Sequence, residues 1–383
     1  MPALKLKPGD RPRVLKGHPW VFANEVQQLL PADADGRAVE CRDARGRLLG
    51  TGIYNGKSQI VWRRFATGRA DFDKEFLRAA IVSAARRRGD ADVARLVWSE
   101  SDNLPGLIAD RYGDIIVLQA LTLAVDRRLA DIADIFDELC RPKSILLKND
   151  APIRVKEGLD LTVSVAGAEV TPHWRKIGEV EFWLDLAGGQ KTGFYLDQRE
   201  EYRRVAALCR GRRVLDACCN QGGFALHAAA GGATEVLGID ISKEAVALAR
   251  RNAERNRWPQ VTFSVGNVFD YFSRERRREW DVIILDPPSF TKTKGRLAEA
   301  LRGYKGLNLR ALQCLAPGGV LATYACSHHV THDAYWRMLL DAAGDAGRAA
   351  RLLDIRRQPA DHPIVLQVPE SEYLRGFILE LID

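Results

Sequence analysis

Beyond residue 210 the chain repeats one pattern, a short apolar run followed by a helical stretch. The runs are 214–216, 236–240, 261–265, 281–286 and 320–326. Three of them stop at an acid (Asp216, Asp240, Asp286), one at a cysteine (Cys326), and one is followed by Asn267. Strands alternating regularly with helices predict a largely parallel sheet with helices on both faces. In such a sheet the chemistry sits at the C-terminal strand ends. These five residues are therefore expected on one edge.

The first half of the chain reads differently. Up to about residue 67, short β-like runs (38–42, 48–54, 59–64) alternate with Gly and Asp turns, which predicts a small, mostly β barrel. Residues 72–88 have a helical pattern, with Phe72, Phe76, Ala79, Ala80 and Val82 to Ala84 on one side. Strand and helix candidates then mix up to about residue 187, an α+β segment. A length of 383 residues predicts two or three domains with core enough to stand without staples.

Charge is unevenly placed. Residues 1–69 hold 13 Lys/Arg against 6 Asp/Glu, and the other 314 residues carry 44 of each sign, so the whole surplus of +7 lies in the first module. That suits a polyanion-reading appendage on a neutral enzyme, or simply a solvated basic face. Further basic clusters at 274–278 and 292–296 are placed to flank a cleft. The start lacks a secretory h-region and no run approaches 18 apolar residues, so a cytoplasmic protein without membrane attachment is expected. Seven scattered cysteines without C-x-x-C argue against a disulfide framework and a zinc site, and no metal is expected.

The turn after the first run, Asp216-Ala-Cys218-Cys-Asn220-Gln-Gly222-Gly-Phe224, is not a G-x-G-x-x-G and offers no pyrophosphate cradle. A nicotinamide oxidoreductase is thereby disfavoured. An adenosine cofactor without phosphates, S-adenosylmethionine, fits better: Asp216 faces its amino-acid end and Gly222 allows close approach. The plain alternative is an ordinary tight βα turn. Asp240, 24 residues on, suits two ribose hydroxyls, or else serves as a helix-end acid while Ser242 caps the next helix. Asn267 can meet the adenine amino group or act as a turn residue.

The run ending in Asp286-Pro287-Pro288-Ser289-Phe290 supplies an acid, a rigid backbone and an aromatic, an arrangement that holds a planar nitrogen base. Cys326 falls on the same edge. Pyrimidine C5 is too poor a nucleophile to take a methyl group directly, and a thiolate adding at C6 makes it enamine-like. Cys326 is the nucleophile candidate, and His328 or His329 a candidate base or thiol activator, or merely exposed.

With these motifs in place, the chain resembles the bacterial 23S rRNA cytosine-C5 methyltransferases of the RlmI-like family over essentially its whole length. The resemblance is carried by GHPWVFANEV (17–26), SESDNLPGLIADRYGD (99–114), GQKTGFYLDQRE (189–200), VLDACCNQGGF (214–224), LDPPSF (285–290), RGYKGLNLRAL (302–312) and ADHPIVLQVPESEYLRGF (360–377). It implies a PUA-like RNA-binding β-barrel over 1–70 and an α+β (EEHEE) middle domain over 71–187. Over 188–383 it implies a Rossmann-like class I methyltransferase domain, doubly wound, whose last strand is antiparallel.

The resemblance further implies S-adenosylmethionine as cofactor, with contacts at Asp216, Cys218, Asn220, Gly222, Phe224, Asp240, Ile241, Asn267, Val268, Asp286, Phe194 and Gln198. Cys326 and Asp286 are the implied catalytic residues. Pro287, Pro288, Phe290, Lys191 and Arg199 are the implied substrate contacts, although Lys191 and Arg199 can equally support the junction. The implied partner is 23S rRNA or a large-subunit precursor, with a second copy of the chain as a candidate. Cys218-Cys-Asn220-Gln and His328-His329 depart from the family's usual residues at those points. The rival readings are a methyltransferase acting on an exocyclic base nitrogen and a non-catalytic rRNA-binding or assembly factor.

Overall fold

The computed structural model describes residues 1–9, 13–274, 280–291 and 294–382, with the side chains of Arg274 and Lys294 excepted. The basic clusters expected at 274–278 and 292–296 thus lie largely outside the described residues. The chain forms two compact units. One comprises 1–173, 184–196 and 360–371; the other comprises 174–183, 197–359 and 372–383.

The first unit contains two five-stranded sheets. In one, β1 (Ala3–Lys5), β2 (Trp20–Val21), β3 (Ala38–Arg42), β4 (Leu48–Tyr54) and β5 (Trp62–Ala66) run in the order β1-β3-β4-β5-β2. Its apolar cluster includes Leu4, Val21, Val39, Tyr54 and Trp62. Next comes α1 (Lys74–Arg88), started by Asp73, whose carboxylate accepts from the Phe76 amide at 2.9 Å. Its buried residues are Leu77, Ile81 and Ala84; of the expected stripe Phe72, Phe76, Ala80 and Ala84 pack on one cluster, whereas Ala79 and Ser83 are exposed and Leu77 and Ile81 complete the inward face. The reason is that α1 packs its i, i+4, i+7 row on the cluster beneath the second sheet.

That second sheet is built from β6 (Val93–Trp98), β7 (Leu107–Tyr112), β8 (Ile115–Ala120), β9 (Ser144–Asn149) and β10 (Thr162–Gly167), ordered β10-β9-β8-β7-β6. Helices α2 (Leu123–Asp126) and α3 (Leu129–Cys140) sit between β8 and β9 in the chain. They supply Val125, Ile132, Ile135 and Phe136 to the same cluster.

The second unit carries a two-stranded ribbon, β11 (His173–Ile177) with β12 (Val180–Leu184), and a seven-stranded sheet. Its elements follow as α4 (Arg199–Ala206), β13 (Arg213–Ala217), α5 (Gly223–Ala230), β14 (Glu235–Asp240), α6 (Lys243–Asn256), β15 (Val261–Val265) and α7 (Val268–Arg274). Then come β16 (Trp280–Leu285), α8 (Leu297–Cys314), β17 (Leu315–Cys326), α9 (His332–Ala346), β18 (Ala350–Arg357) and β19 (Leu374–Leu381). The order is β15-β14-β13-β16-β17-β19-β18. The first five strands are mutually parallel, and β19 runs antiparallel between β17 and β18. The expected doubly wound sheet with an antiparallel last strand is present.

Each buried strand feeds one face with every second residue. Leu215, Ala217, Ile283, Leu285, Leu321 and Ala325 join Tyr304, Leu307, Ala311, Tyr335 and Leu339 from α8 and α9. Helices α5 and α6 contact the sheet through β13, β14 and β15. Among the described residues no helix is long and apolar enough to cross a membrane.

Candidate active site

Strand register sets the site. Asp216 pairs with Gly238 on β14 and Ile284 on β16, and Leu285 pairs with Thr323 on β17. The C-terminal ends of four adjacent parallel strands therefore carry Asp240, Asp216, Asp286 and Cys326 in that order. At about 4.8 Å per strand the row spans roughly 14 Å. An elongated ligand fits such a row.

The turn after β13 is tightly wound, with Cys218, Asn220 and Gly222 all in the left-handed region (φ 70°, 49° and 88°). This winding keeps the amides of the turn engaged within the protein, with Gly222 donating to the Cys219 carbonyl at 2.8 Å and Gln221 to the Asn220 side-chain oxygen at 2.7 Å. Cys218 and Cys219 donate to the Ile239 carbonyl at 2.9 and 3.0 Å, locking the turn to β14. A Cβ on Gly222 would lie 3.0 Å from Phe263 and 3.1 Å from Leu226, and one on Gly223 would lie 2.6 Å from the Tyr202 ring. On the side a Cβ would occupy, both glycines make room for protein rather than for a ligand. Burial pushes the Cys218 thiol up to about 12, with Asp240, Asp286 and Asp216 adding to the shift. It is a packing residue with a weakly acidic thiol.

Asp216 is fully buried. One carboxylate oxygen accepts from the Ala225 amide at 2.9 Å, at the start of α5, and the other has no partner. Burial pushes its pKa up to about 8; the Ala225 amide opposes this, and the charges of Asp286 and Asp240 reinforce it. A buried acceptor facing two further carboxylates favours a cation. Asp240 is held by two amides, Asn220 and Ser242, each at 2.9 Å. Ser242 also caps α6 through the Ala245 amide at 3.1 Å. Ile241, just beyond, is 74% exposed, an apolar surface unusual for its size.

Other expected cofactor residues have different surroundings. Phe224 is buried between Tyr202 (ring centroids 4.7 Å) and Tyr324 (5.3 Å), and Val268 belongs to the core cluster. Asn267 is exposed, and its side-chain oxygen accepts from the Phe269 amide at 2.9 Å, the turn role weighed for it. Phe194 and Lys191 belong to the first unit, so they are not among the residues gathered here. There Lys191 lies 4.2 Å over the Tyr195 ring, and Phe194 is buried. Arg199 opens α4.

At the end of β16, Asp286 accepts from the Gln198 amide at 2.8 Å. Gln198 is buried, and its own oxygen has no partner. Of the two prolines Pro287 is buried and Pro288 exposed. Phe290 rests on α8, its ring 4.6 Å from that of Tyr304, over Gly303, whose added Cβ would come within 3.1 Å.

Cys326 is half-buried and pairs with Leu374 of β19. Its surroundings include residues that motif reading missed. Arg375, buried, donates to the Ser327 carbonyl at 2.9 Å and the Glu372 carbonyl at 3.2 Å. Burial lowers the pKa of Arg375, while the charges of Glu372 and Cys326 oppose that shift. The Tyr373 hydroxyl donates to Asp197 at 2.9 Å, and the Tyr373 carbonyl accepts from the Ser327 amide at 3.0 Å. Asp197 and Arg375 lie inside the motifs FYLDQRE and YLRGF, but motif membership alone assigned them no contact. His328 is exposed, with its ring 5.9 Å from that of Tyr373.

The residues fit S-adenosylmethionine. Orphaned buried acceptors on Asp216 and Gln198 and a row of three carboxylates answer a ligand with an ammonium group, a sulfonium and a ribose diol. Among the described residues no group of His, Cys, Asp and Glu is arranged to hold a metal ion.

Known proteins are similar to this chain in sequence and in fold. Residues 164–365 match the family described as S-adenosylmethionine-dependent methyltransferase, and residues 4–67 match the PUA-like domain. The chain is 37% identical to ribosomal RNA large subunit methyltransferase I of Aeromonas hydrophila, across 98% of each chain. It is 36% identical to the same-named protein of Klebsiella pneumoniae, across 98% of this chain and 97% of that one. In fold it is similar to a Streptococcus mutans protein classed as a SAM-dependent methyltransferase, with a TM-score of 0.83, 21% identity and coverage of 99% of this chain and 100% of that one. A second solved chain, complexed with SAH, has a TM-score of 0.85 at 21% identity, with the same coverage.

Proposed function

Since the chain belongs to the S-adenosylmethionine-dependent methyltransferases, and among them to the ribosomal RNA large subunit methyltransferase I family, we propose that it methylates C5 of one cytosine in 23S rRNA, with Cys326 as covalent nucleophile. The observation that carries this reading is the position of Cys326 one strand from Asp286, on the edge that also bears Asp216 and Asp240. A thiol at that place has no role in methylating an exocyclic nitrogen. It has one in activating C5.

When bound, S-adenosylmethionine supplies an electrophilic methyl group. Asp216 and Asp240 would hold it at its charged and ribose parts, Ile241 would cover its base, and Gln198 and Asp286 would stand between it and the target cytosine. The cytosine must leave its stack, because C5 and C6 are otherwise shielded. Asp286, fixed by Gln198, accepts from the exocyclic amine. The Cys326 thiolate adds to C6, forming an S–C6 bond and moving the electron pair of the C5–C6 double bond to C5, which becomes nucleophilic. After methylation at C5, loss of the C5 proton re-forms the double bond and expels the thiolate. Arg375, donating to the carbonyl beside Cys326, holds the strand end and favours the anionic sulfur.

On the same reading the chain comprises an RNA-binding domain over 1–70, a middle domain over 71–187 and a catalytic domain over 188–383. The cluster of Leu4, Val21, Val39, Tyr54 and Trp62 lies within the first of these, while Ile53 and Phe65 of β4 and β5 pack into the cluster of the second sheet. The protein would act in the cytoplasm on rRNA or a large-subunit precursor. The deciding experiment is nucleoside mass spectrometry of rRNA treated with wild type and with Cys326→Ala. The reading expects 5-methylcytidine from wild type alone. Undiminished methylation by the variant would instead establish the exocyclic-nitrogen reaction, and failure of wild type to bind S-adenosylmethionine would favour a non-catalytic rRNA-binding factor.

A further inference from the structure

The α8 helix that backs Phe290 has a second face. Gly303 lies beneath the Phe290 ring, and one turn further along the same side Gly306 leaves a groove of about 770 Å³ between α8 and α7. That volume is within the range of roughly 300–1,000 Å³ typical of ligand clefts. Among the described residues its walls bring in Arg302, Lys305 and Arg310 against one acid, Asp345, and Asp341 also acts on Lys305. Of these three cations Lys305 alone is ion-paired among the described residues, at 2.8 Å from Asp345. Arg310 is pre-set rather than paired: its guanidinium donates to the Gly306 carbonyl at 2.8 Å and lies 5.7 Å over the Phe269 ring. Arg302 is exposed, with no hydrogen-bond or ion-pair partner among the described residues.

A groove whose cations outnumber its acids, with the Gly306 carbonyl and the Phe269 ring holding one guanidinium in place, is suited to a phosphodiester. Of its apolar side chains Phe272 and Cys314 are buried and Leu309 is half-buried. Along the helix axis Gly306 lies about 5 Å, and Arg310 about 10 Å, from Gly303 under the Phe290 loop. We propose that this α7–α8 groove takes backbone phosphates of the rRNA strand that carries the target base, with Arg302 and Arg310 as the contacts. This rests on the proposed rRNA substrate. Phosphate contacts set register and carry no sequence information, so the groove would hold the strand while the acceptor loop selects the base.

The test measures binding of wild type, Arg302→Gln/Arg310→Gln and Asp345→Asn to a 23S rRNA transcript across a salt series, with cofactor affinity followed by calorimetry. For the double variant the expected result is about tenfold weaker RNA binding, and a log-affinity against log-salt slope shallower by roughly 1.4, about 0.7 for each single-strand phosphate that is no longer neutralised. Cofactor affinity should not change. Asp345→Asn, which frees Lys305, should tighten RNA binding. Unchanged RNA affinity and slope in both variants overturns the groove, even while wild type methylates the transcript. If the double variant also loses cofactor binding, Asp345→Asn decides: tighter binding supports the proposal and unchanged binding overturns it. A wild type that leaves the transcript unmethylated overturns the functional reading instead.

Discussion

Gln198 donates its side-chain amide to Asp286 at 2.8 Å while its own carbonyl oxygen, buried, points at no partner. The pair joins a segment ahead of the first helix of the catalytic sheet to the end of its fourth strand in sequence, 88 residues away. One group thus orients the acid and leaves an acceptor for a ligand N–H.

Gln198→Leu removes both functions without adding charge. A hydrogen bond to a charged group contributes about 1.5–3 kcal/mol. The expected outcome is a fall in kcat/KM for methyl transfer of roughly 10- to 100-fold with unchanged thermal stability, read from initial rates and a melting curve. Wild-type rates in the variant would remove Gln198 from the site.

On the proposed reading, Asp216 makes cofactor binding pH-dependent. Burial, with Asp286 and Asp240 nearby, raises its pKa to about 8, so at neutral pH it is mostly protonated, whereas a cationic ligand requires the anion. Binding should release a proton below pH 8, and affinity should rise with pH by up to about tenfold per unit before levelling near 8. Calorimetry in buffers of different ionisation enthalpy measures the proton count. A raised carboxyl pKa also means that its stabilising contribution is full below the ordinary carboxylate pKa and declines as pH rises through about 8. Asp216→Asn should flatten both dependences.

Arg375 is a cation beside Cys326, the proposed nucleophile, and is pinned to the Ser327 carbonyl at 2.9 Å. Arg375→Met should move the pH profile of Cys326 alkylation to higher pH, because a neighbouring positive charge that favours thiolate is gone. Arg375→Lys should restore part of the shift. A purely structural arginine would instead lower the melting temperature and leave the alkylation profile in place.

Gly223→Ala tests the packing under the cofactor turn. The new methyl carbon would sit 2.6 Å from the Tyr202 ring, which is itself held edge-on to Phe224 at 4.7 Å and stacked on His227 at 5.1 Å. Overpacking of this kind costs about 1–3 kcal/mol, and chemical denaturation should show a destabilisation of that size. An unchanged midpoint would mean that Tyr202 moves freely.

Local pattern was enough to read the parallel strands, the cap at Ser242, and the row of Asp216, Asp240, Asp286 and Cys326. An apolar run of strand length followed by a turn and a helix has few ways to fold, and parallel register then brings the strand ends together. The resemblance implied Phe224 as a cofactor contact, and its ring is packed between Tyr202 and Tyr324: a helix-start residue beside a turn looks alike in sequence whichever way it points. On α1 the local reading placed Ala79 inward although it is exposed, since alanines carry little directional signal.

Tertiary structure alone decided the surroundings of Cys326. Asp197 meets Tyr373 across 176 residues, and Arg375 reaches Ser327 across 48, because β19 enters the sheet antiparallel beside β17. Contacts at that separation depend on which strand neighbours which. That order is set by how the whole sheet buries its two faces, and no stretch of sequence carries it. The chain alone therefore specified which groups stand at the reactive edge; the packing of distant segments specified which residues hold, charge and orient them.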